Sequence, residues 1–503
     1  MSPAQSAPAG IALLPTGLPG FDLLAMGGLP QNRTTLVSGT AGSGKTIFAT
    51  QFLVEGIRQE GEACVFVTLE ESPDDIRSNM LSLGWDIARW EADVKWLFVD
   101  GSPPEEQETL IGDYDLGGLL SRIQAAVARV GARRVAVDAI GALWVRFGDE
   151  TRIRTLLFHL SRALKSAGVT TLLCSERSLD YGELSRYGFE EFVADNVIIL
   201  RNVLDAERRR RSLEILKLRG VPHQRGEFPF VIINGSGIEV VPLSAIPLAH
   251  KSSSQRVSFG NAGLDRMSDG GPFLDSTTLV SGPTGAGKTL LATGFAAGAA
   301  STGERCLFLG FEESRDQLFR NAAGWGRDFA RMEEQGMLRV ICEYPEAGGL
   351  EERLVLIKEI VGEFKPQRIV LDSLSSLGRF AGEKDLRNFV FGLTAFIKHE
   401  QIPALLTAAT EPIISSNPAS AAGDIQLSTF TDSIILLRYV EVDGQTRHGL
   451  TVLKMRGSRH ETDIREFTID EQGMHIGEPF GTLTGAGHSA SRVMPRAGRK
   501  GRK

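Results

Sequence analysis

The sequence predicts an α/β protein made of two tandem phosphate-binding domains, each a mostly parallel sheet flanked by helices. Three observations point there. Residues 39–46 read Gly39-Thr40-Ala41-Gly42-Ser43-Gly44-Lys45-Thr46, and residues 282–289 read Gly282-Pro283-Thr284-Gly285-Ala286-Gly287-Lys288-Thr289, so the spacing G-x-x-x-x-G-K-[ST] occurs twice. Short β-branched and apolar runs alternate with longer helical patterns in both halves. The landmarks around the two loops also recur in the same order, which marks an internal duplication.

Each P-loop has the context its chemistry needs. The apolar run Thr34-Thr35-Leu36-Val37 precedes the first loop and a helical pattern follows it. Gly39, Gly42 and Gly44 let the backbone curl until successive N–H groups face phosphate oxygens, and the following helix adds its positive end. Lys45 reaches the β- and γ-phosphates, and the Thr46 hydroxyl is a magnesium ligand. Lys288 and Thr289 repeat that pair.

The duplicated landmarks run the length of both copies. Gly20-Phe21-Asp22 recurs as Gly263-Leu264-Asp265, and Gly84-Trp85 as Gly324-Trp325. The strand ending in Glu70-Glu71-Ser72 recurs as the one ending in Glu312-Glu313-Ser314. Arg134–Asp138 matches Arg368–Asp372, Asp195–Arg201 matches Asp432–Arg438, and Lys217–Gly220 matches Lys454–Gly457. The expected domains are 1–243 and 258–480, with a linker at 244–257 containing Pro247 and Ser252-Ser253-Ser254. Residues 481–503 are rich in Gly, Ser and Arg without apolar periodicity, so they read as a disordered basic tail.

Composition narrows the class. A chain of 503 residues is too long for one ordinary core. Its 42% hydrophobic and 23% charged residues are those of a water-soluble globular protein. A net charge of −7 argues against a nucleic-acid-coating surface, and nucleic acid is not an expected partner. No apolar run reaches membrane-spanning length and no secretory signal precedes the first domain, so a cytoplasmic protein is expected. Cys64, Cys174, Cys306 and Cys342 are scattered without metal-ligand spacing and read as reduced thiols in or near strands.

Further residues are placed for chemistry. Asp138 and Asp372 each end an apolar strand, where a P-loop domain puts the carboxylate that orients magnesium and its water. Glu70, Glu71, Glu312 and Glu313 follow another strand end, just before a serine helix cap. One glutamate of each pair can be a helix-dipole acid, while the other accepts a proton from a nucleophile. The metal candidates are Thr46, Thr289 and Glu312. Lys217 with Arg219, and Lys454 with Arg456, leave their strands on one face. Such a pair neutralises charge on a transferring phosphoryl group, best from a neighbouring subunit; the plainer reading is a solvated strand face. The run Arg208–Arg211 reads first as a solvated hairpin tip, with nucleotide or partner contact the lesser reading. Only the second copy presents hydroxyls before its Asp432 strand: Ser428, Thr429 and Thr431 stand opposite Glu191, Phe192 and Ala194. On residues alone, a capping or turn cluster is the favoured account of them.

The sequence resembles the KaiC circadian-clock family from about residue 12 to residue 480. The resemblance is carried by the two loops, both Glu-Glu-Ser segments, Tyr187-Gly188-Phe189-Glu190-Glu191-Phe192-Val193 and Ser428-Thr429-Phe430-Thr431-Asp432. Lys454-Met455-Arg456-Gly457-Ser458 and Ile464-Arg465-Glu466-Phe467 add to it. It implies two RecA-like domains stacked as rings in an ATP- and Mg2+-dependent homohexamer. The N-terminal ring hydrolyses ATP slowly, and the C-terminal ring reversibly phosphorylates itself, here on Ser428 and Thr429, to regulate a circadian or timer-like output. The chain departs from the family at Gly423, where clock members carry a further threonine, and in its short basic tail. That tail argues against a KaiA-type activator; a KaiB-type partner for the N-terminal ring remains compatible. The competing readings are a RecA-like DNA-dependent motor, whose ATPase single-stranded DNA would stimulate, and a non-phosphorylating scaffold held together by ATP.

Overall fold

The computed structural model describes residues 11–102, 116–143, 150–182, 193–205, 208–241, 252–344, 349–409, 430–442 and 444–480. They belong to two compact units dividing after residue 245. Each unit carries a nine-stranded sheet.

In the first unit the strands lie in the order Trp96–Asp100, Cys64–Thr68, Arg134–Asp138, Thr170–Glu176, Thr34–Gly39, Asn196–Asp205, Arg208–Leu218, Glu227–Ile233 and Gly237–Val240. Neighbours are parallel as far as Asn196–Asp205 and antiparallel beyond it. The second unit repeats this, from Leu338–Cys342 through Thr277–Gly282 to Gly473–Pro479, turning antiparallel after Ser433–Val442. These are two mostly parallel sheets flanked by helices, as tandem RecA-like domains require. The parallel strands read as unbroken apolar runs because helices cover both faces.

The helix after each P-loop is the centre of its core. Lys45–Glu60 buries Phe48, Phe52 and Leu53 among others, and Lys288–Ser301 buries Leu290, Leu291 and Phe295. Both helices start from a left-handed glycine, Gly44 at φ 94° and Gly287 at φ 93°. A side chain there would be strained, which is why the motif demands glycine before its lysine.

A buried arginine anchors the strand that delivers each site aspartate. Arg134 is fully buried, pairs with Glu62 at 2.9 Å and donates to the carbonyls of Pro15 and Phe52, both at 2.9 Å. Arg368 repeats this with Glu304 at 2.7 Å and the Ser258 carbonyl at 2.7 Å. Each guanidinium is packed over a phenylalanine, Phe52 or Phe295. A buried charge survives only when paired and hydrogen-bonded in this way. Gly56 is required beside it: a Cβ there would stand 2.6 Å from Arg134 Nε.

The cysteines are free thiols, with Cys64, Cys174 and Cys306 buried and Cys342 partly so. Burial pushes the Cys306 thiol up to about 12 and that of Cys342 to about 11. Among the described residues, no helix is long and apolar enough to cross a membrane.

Candidate functional site

Each site is assembled where four parallel strands end side by side. Thr34–Gly39 leads into the first P-loop, Cys64–Thr68 into Glu70 and Glu71, Arg134–Asp138 into Asp138, and Thr170–Glu176 into Glu176. Carboxyl ends of strands in a parallel sheet form a natural ligand crevice. Here the crevice is a cavity of about 440 Å³. Its lining includes Gly42, Gly44, Lys45, Thr46, Glu70, Glu71 and Asp138.

Within the loop, Lys45 Nζ donates to the carbonyls of Gly39 and Thr40, both at 3.1 Å. Lys288 does the same to Gly282 and Pro283, both at 2.9 Å. Loss of solvent lowers the Lys288 pKa, and nearby Glu312 and Asp372 oppose that. Thr46 Oγ1 donates to Asp138 Oδ2 at 2.6 Å, and Thr289 Oγ1 to Asp372 Oδ2 at 2.8 Å. Burial raises the Asp138 carboxyl and pushes that of Asp372 up to about 6, although hydroxyl donors oppose the shift in both. Such hard-oxygen sets suit magnesium, which takes one or two carboxylates together with substrate phosphates and water.

The glutamates flank this pair. Loss of solvent raises the carboxyls of Glu70 and Glu71; Glu176 and Asp138 add to the shift at Glu70. Glu312 Oε1 accepts from Ser373 Oγ at 2.6 Å and Ser376 Oγ at 2.8 Å, and Glu313 Oε2 from Asn321 at 3.0 Å. Ser72 and Ser314 cap the helices Pro73–Leu81 and Arg315–Gly324.

The paired cations do not join their own unit's P-loop. Lys217 Nζ donates to the Ala194 carbonyl at 2.9 Å and Arg219 reaches Asp195 at 3.4 Å. Lys454 donates to the Thr431 carbonyl at 2.7 Å and Arg456 reaches Asp432 at 3.4 Å. Asp195 and Asp432 bond to Thr34 and Thr277, which begin the strands whose other ends carry the P-loops. A six-residue strand, roughly 20 Å long, separates the two ends. Ser428, Thr429, Glu191, Phe192 and Gly423 lie outside the described residues, as does the tail 481–503.

Two residues of the site were not among those expected to form it. Arg211 is not part of a solvated hairpin tip: it lies in strand Arg208–Leu218, lines the first cavity and donates Nε to the Gly42 carbonyl at 3.2 Å. The antiparallel pairing with Asn196–Asp205 carries it over the loop, the nucleotide-side contact that was only the lesser reading of the four arginines. Glu176 also lines the cavity, because its strand runs beside the P-loop strand with Gly39 opposite Glu176. Its signal was an acid closing an apolar run, the same signal that identified Asp138.

The family profile described as "ATPase: KaiC" matches residues 14–245 and again 257–480. The chain is 55% identical to a Synechocystis sp. protein named circadian clock protein KaiC3, over 95% of this chain and 94% of that one. It is 46% identical to the circadian clock oscillator protein KaiC of Thermostichus vulcanus, over 96% and 92%. The KaiC of Synechococcus elongatus is also 46% identical, over 93% and 90%. With both P-loops, both Thr–Asp pairs and both glutamate pairs in matching places, the chain belongs to the KaiC family of ATPases.

Proposed function

We propose that the chain works as an ATP-dependent homohexamer whose first site slowly hydrolyses ATP and whose second moves the γ-phosphoryl group reversibly onto Ser428 and Thr429. The observation that carries the reading is the convergence, in each unit, of a P-loop lysine, a Thr–Asp pair and a glutamate pair on one crevice. In the second site the acceptor hydroxyl oxygen bonds to the γ-phosphorus while the bond from that phosphorus to the β–γ bridging oxygen breaks. ADP leaves with the bridging oxygen, and the hydroxyl proton passes to Glu312 or Glu313. In the first site a water takes the acceptor's place, with Glu70 or Glu71 receiving the proton. Magnesium held at Thr46 or Thr289, with Asp138 or Asp372 behind it and Glu312 beside the second, would neutralise charge on the phosphate oxygens.

The distance of Lys217/Arg219 and Lys454/Arg456 from their own loops fits a shared, inter-subunit site, in which those cations would reach another copy's phosphate. The relatives are named as circadian clock proteins, so a circadian or timer-like output is the biological role proposed, with a KaiB-type protein as partner. Intact mass with and without Mg-ATP, followed by phosphopeptide mapping, tests the reading. Phosphate is expected on Ser428 and Thr429, and Ser428→Ala/Thr429→Ala is expected to remove most of it. Glu312→Gln/Glu313→Gln should nearly stop incorporation while ATP still binds. A chain that gains no phosphate, or keeps it undiminished in the acceptor double variant, overturns the assignment.

A further inference from the structure

We infer that Ser373 and Ser376 are positioning residues that set the second site for transfer to a protein hydroxyl, and that their replacement by alanine in the first unit helps keep that site hydrolytic. The inference rests on the functional reading above.

Both serines are buried, and both hydroxyls converge on a single oxygen, Glu312 Oε1. Ser373 is the N-cap residue of the short helix Leu374–Gly378, yet its side chain makes no capping bond. An N-cap serine ordinarily accepts from the helix backbone; this one donates to a glutamate on another element instead. Ser375, between them, accepts from the Ala409 backbone N–H at 2.7 Å and ties the segment to strand Ala404–Ala409. The first unit has Ala139, Gly141 and Ala142 at these three positions. Glu70 occupies the matching place: its Oε1 lies 3.9 Å from where a Gly141 Cβ would stand. No hydroxyl from that segment is available to hold it.

The consequence is orientation. Two donors on Oε1 fix the carboxylate plane and leave Oε2 to receive the proton. A serine or threonine tethered in the chain reaches the phosphorus in one pose, so its proton acceptor must be aligned beforehand. Water approaches in many orientations and places less demand on the glutamate. Lys288 and Asp372 also face Glu312, Glu313 acts on Asp372, and the substitutions below leave all three intact.

The test uses the full chain with Glu70→Gln/Glu71→Gln to silence turnover at the first site. Single-turnover transfer from γ-labelled ATP is followed as protein-bound phosphate against released phosphate, with nucleotide affinity measured in parallel. Ser373→Ala/Ser376→Ala is expected to slow protein phosphorylation about tenfold and to raise the share of label released as inorganic phosphate. ATP affinity should stay within about twofold. Ser373→Ala and Ser376→Ala singly should fall between, and Ser376→Thr, which keeps the hydroxyl, should restore most of the rate. Unchanged transfer in a variant that binds ATP normally overturns the inference alone. Absence of protein-bound phosphate in the chain with both serines intact overturns the functional reading as well.

Discussion

The two crevices share a backbone and differ in lining. Lys45 and Lys288, Thr46 and Thr289, Asp138 and Asp372 make the same bonds in both units. Around them, the second site is rich in hydroxyls and the first is not. Cys174, opposite Val37, becomes Thr407, opposite Val280, and Thr407 donates to Asp372. Glu176, opposite Gly39, becomes Ala409, opposite Gly282. Arg211, paired with Asn202, becomes His448, paired with Tyr439. Duplication has preserved what grips a nucleotide and varied what surrounds the reacting oxygen, so shared chemistry is read from the constants and divergent chemistry from the lining.

The hardest test of that division removes a constant from one side at a time. Lys45→Ala and Lys288→Ala should each cost the altered site about 3 kcal/mol of nucleotide binding, roughly a hundredfold. The outcomes should differ in assembly. Lys45→Ala is expected to leave monomers or small oligomers in size-exclusion chromatography with ATP, whereas Lys288→Ala still forms rings. If both assemble equally well, the proposed division of labour between the rings is wrong.

A smaller contrast lies in pH. Asp372 titrates near 6 because it is buried, above the usual carboxylate range. Its sign is that of a raised acid: the unfolded chain ionises first as pH climbs from about 4, so this group's contribution to folding falls until pH 6 and is level beyond. If Asp372 steadies the magnesium as proposed, its ionised form is required, so Mg-ATP affinity at the second site should drop about tenfold per pH unit below 6. Fluorescent-nucleotide titrations from pH 5 to 7.5 would show it. Thr407→Val removes a hydroxyl donor and should move the onset to higher pH. Cys174→Val at the first site should move it less, because a thiol is a weak donor.

Much of this was legible in the chain itself. Glycine spacing, strand-end acids and repeated landmarks placed the loops, Asp138, Asp372 and the glutamates, since each sits at a position local chain geometry dictates. Arg211 and Glu176 carry only weak local signals, a run of charge and an acid closing an apolar run, because their place at the site depends on which strands lie side by side, a long-range property. Ser373 and Ser376 were hidden for a related reason. Serines after a strand read as a turn and a cap, and only folding shows both hydroxyls on Glu312.

The Arg211–His448 exchange gives a third contrast. Arg211 sits on the first loop's Gly42 carbonyl and brings positive charge to the cavity wall. His448 instead packs between Tyr439 and Phe467, with ring centroids 5.2 and 5.1 Å away. Arg211→Ala should therefore weaken nucleotide binding at the first site roughly fivefold, about 1 kcal/mol, the net worth of one ordinary hydrogen bond. His448→Ala should change second-site affinity less than about twofold. Equal losses would show that the two positions still play one role.

The smallest contrast concerns the helices that follow the glutamates. Ser314 closes a full capping box: its Oγ accepts from the Gln317 N–H at 3.3 Å, and Gln317 Oε1 accepts from the Ser314 N–H at 3.1 Å. Ser72 Oγ accepts from the Asp75 N–H at 3.2 Å and, as Ser314 does to Gln317 Oε1 at 3.2 Å, donates its hydroxyl to the side chain three residues on, here the Asp75 carboxylate at 2.6 Å, without a full capping box. Removing a capping serine costs about 1 kcal/mol. Ser314→Ala should cost more than Ser72→Ala, because the alanine chain also loses the orientation that holds Gln317 over the first turn. Hydrogen exchange is the suitable measure, since it reads Pro73–Leu81 and Arg315–Gly324 separately. First-turn amides of Arg315–Gly324 should exchange about fivefold faster in Ser314→Ala. The smaller change belongs to Pro73–Leu81 in Ser72→Ala, where Asp74 and Asp75 still favour the positive end of the helix. The reverse ranking would place the stiffer support under Glu71 instead of Glu313, and the second site's tighter hold on its acids would then end at Glu312.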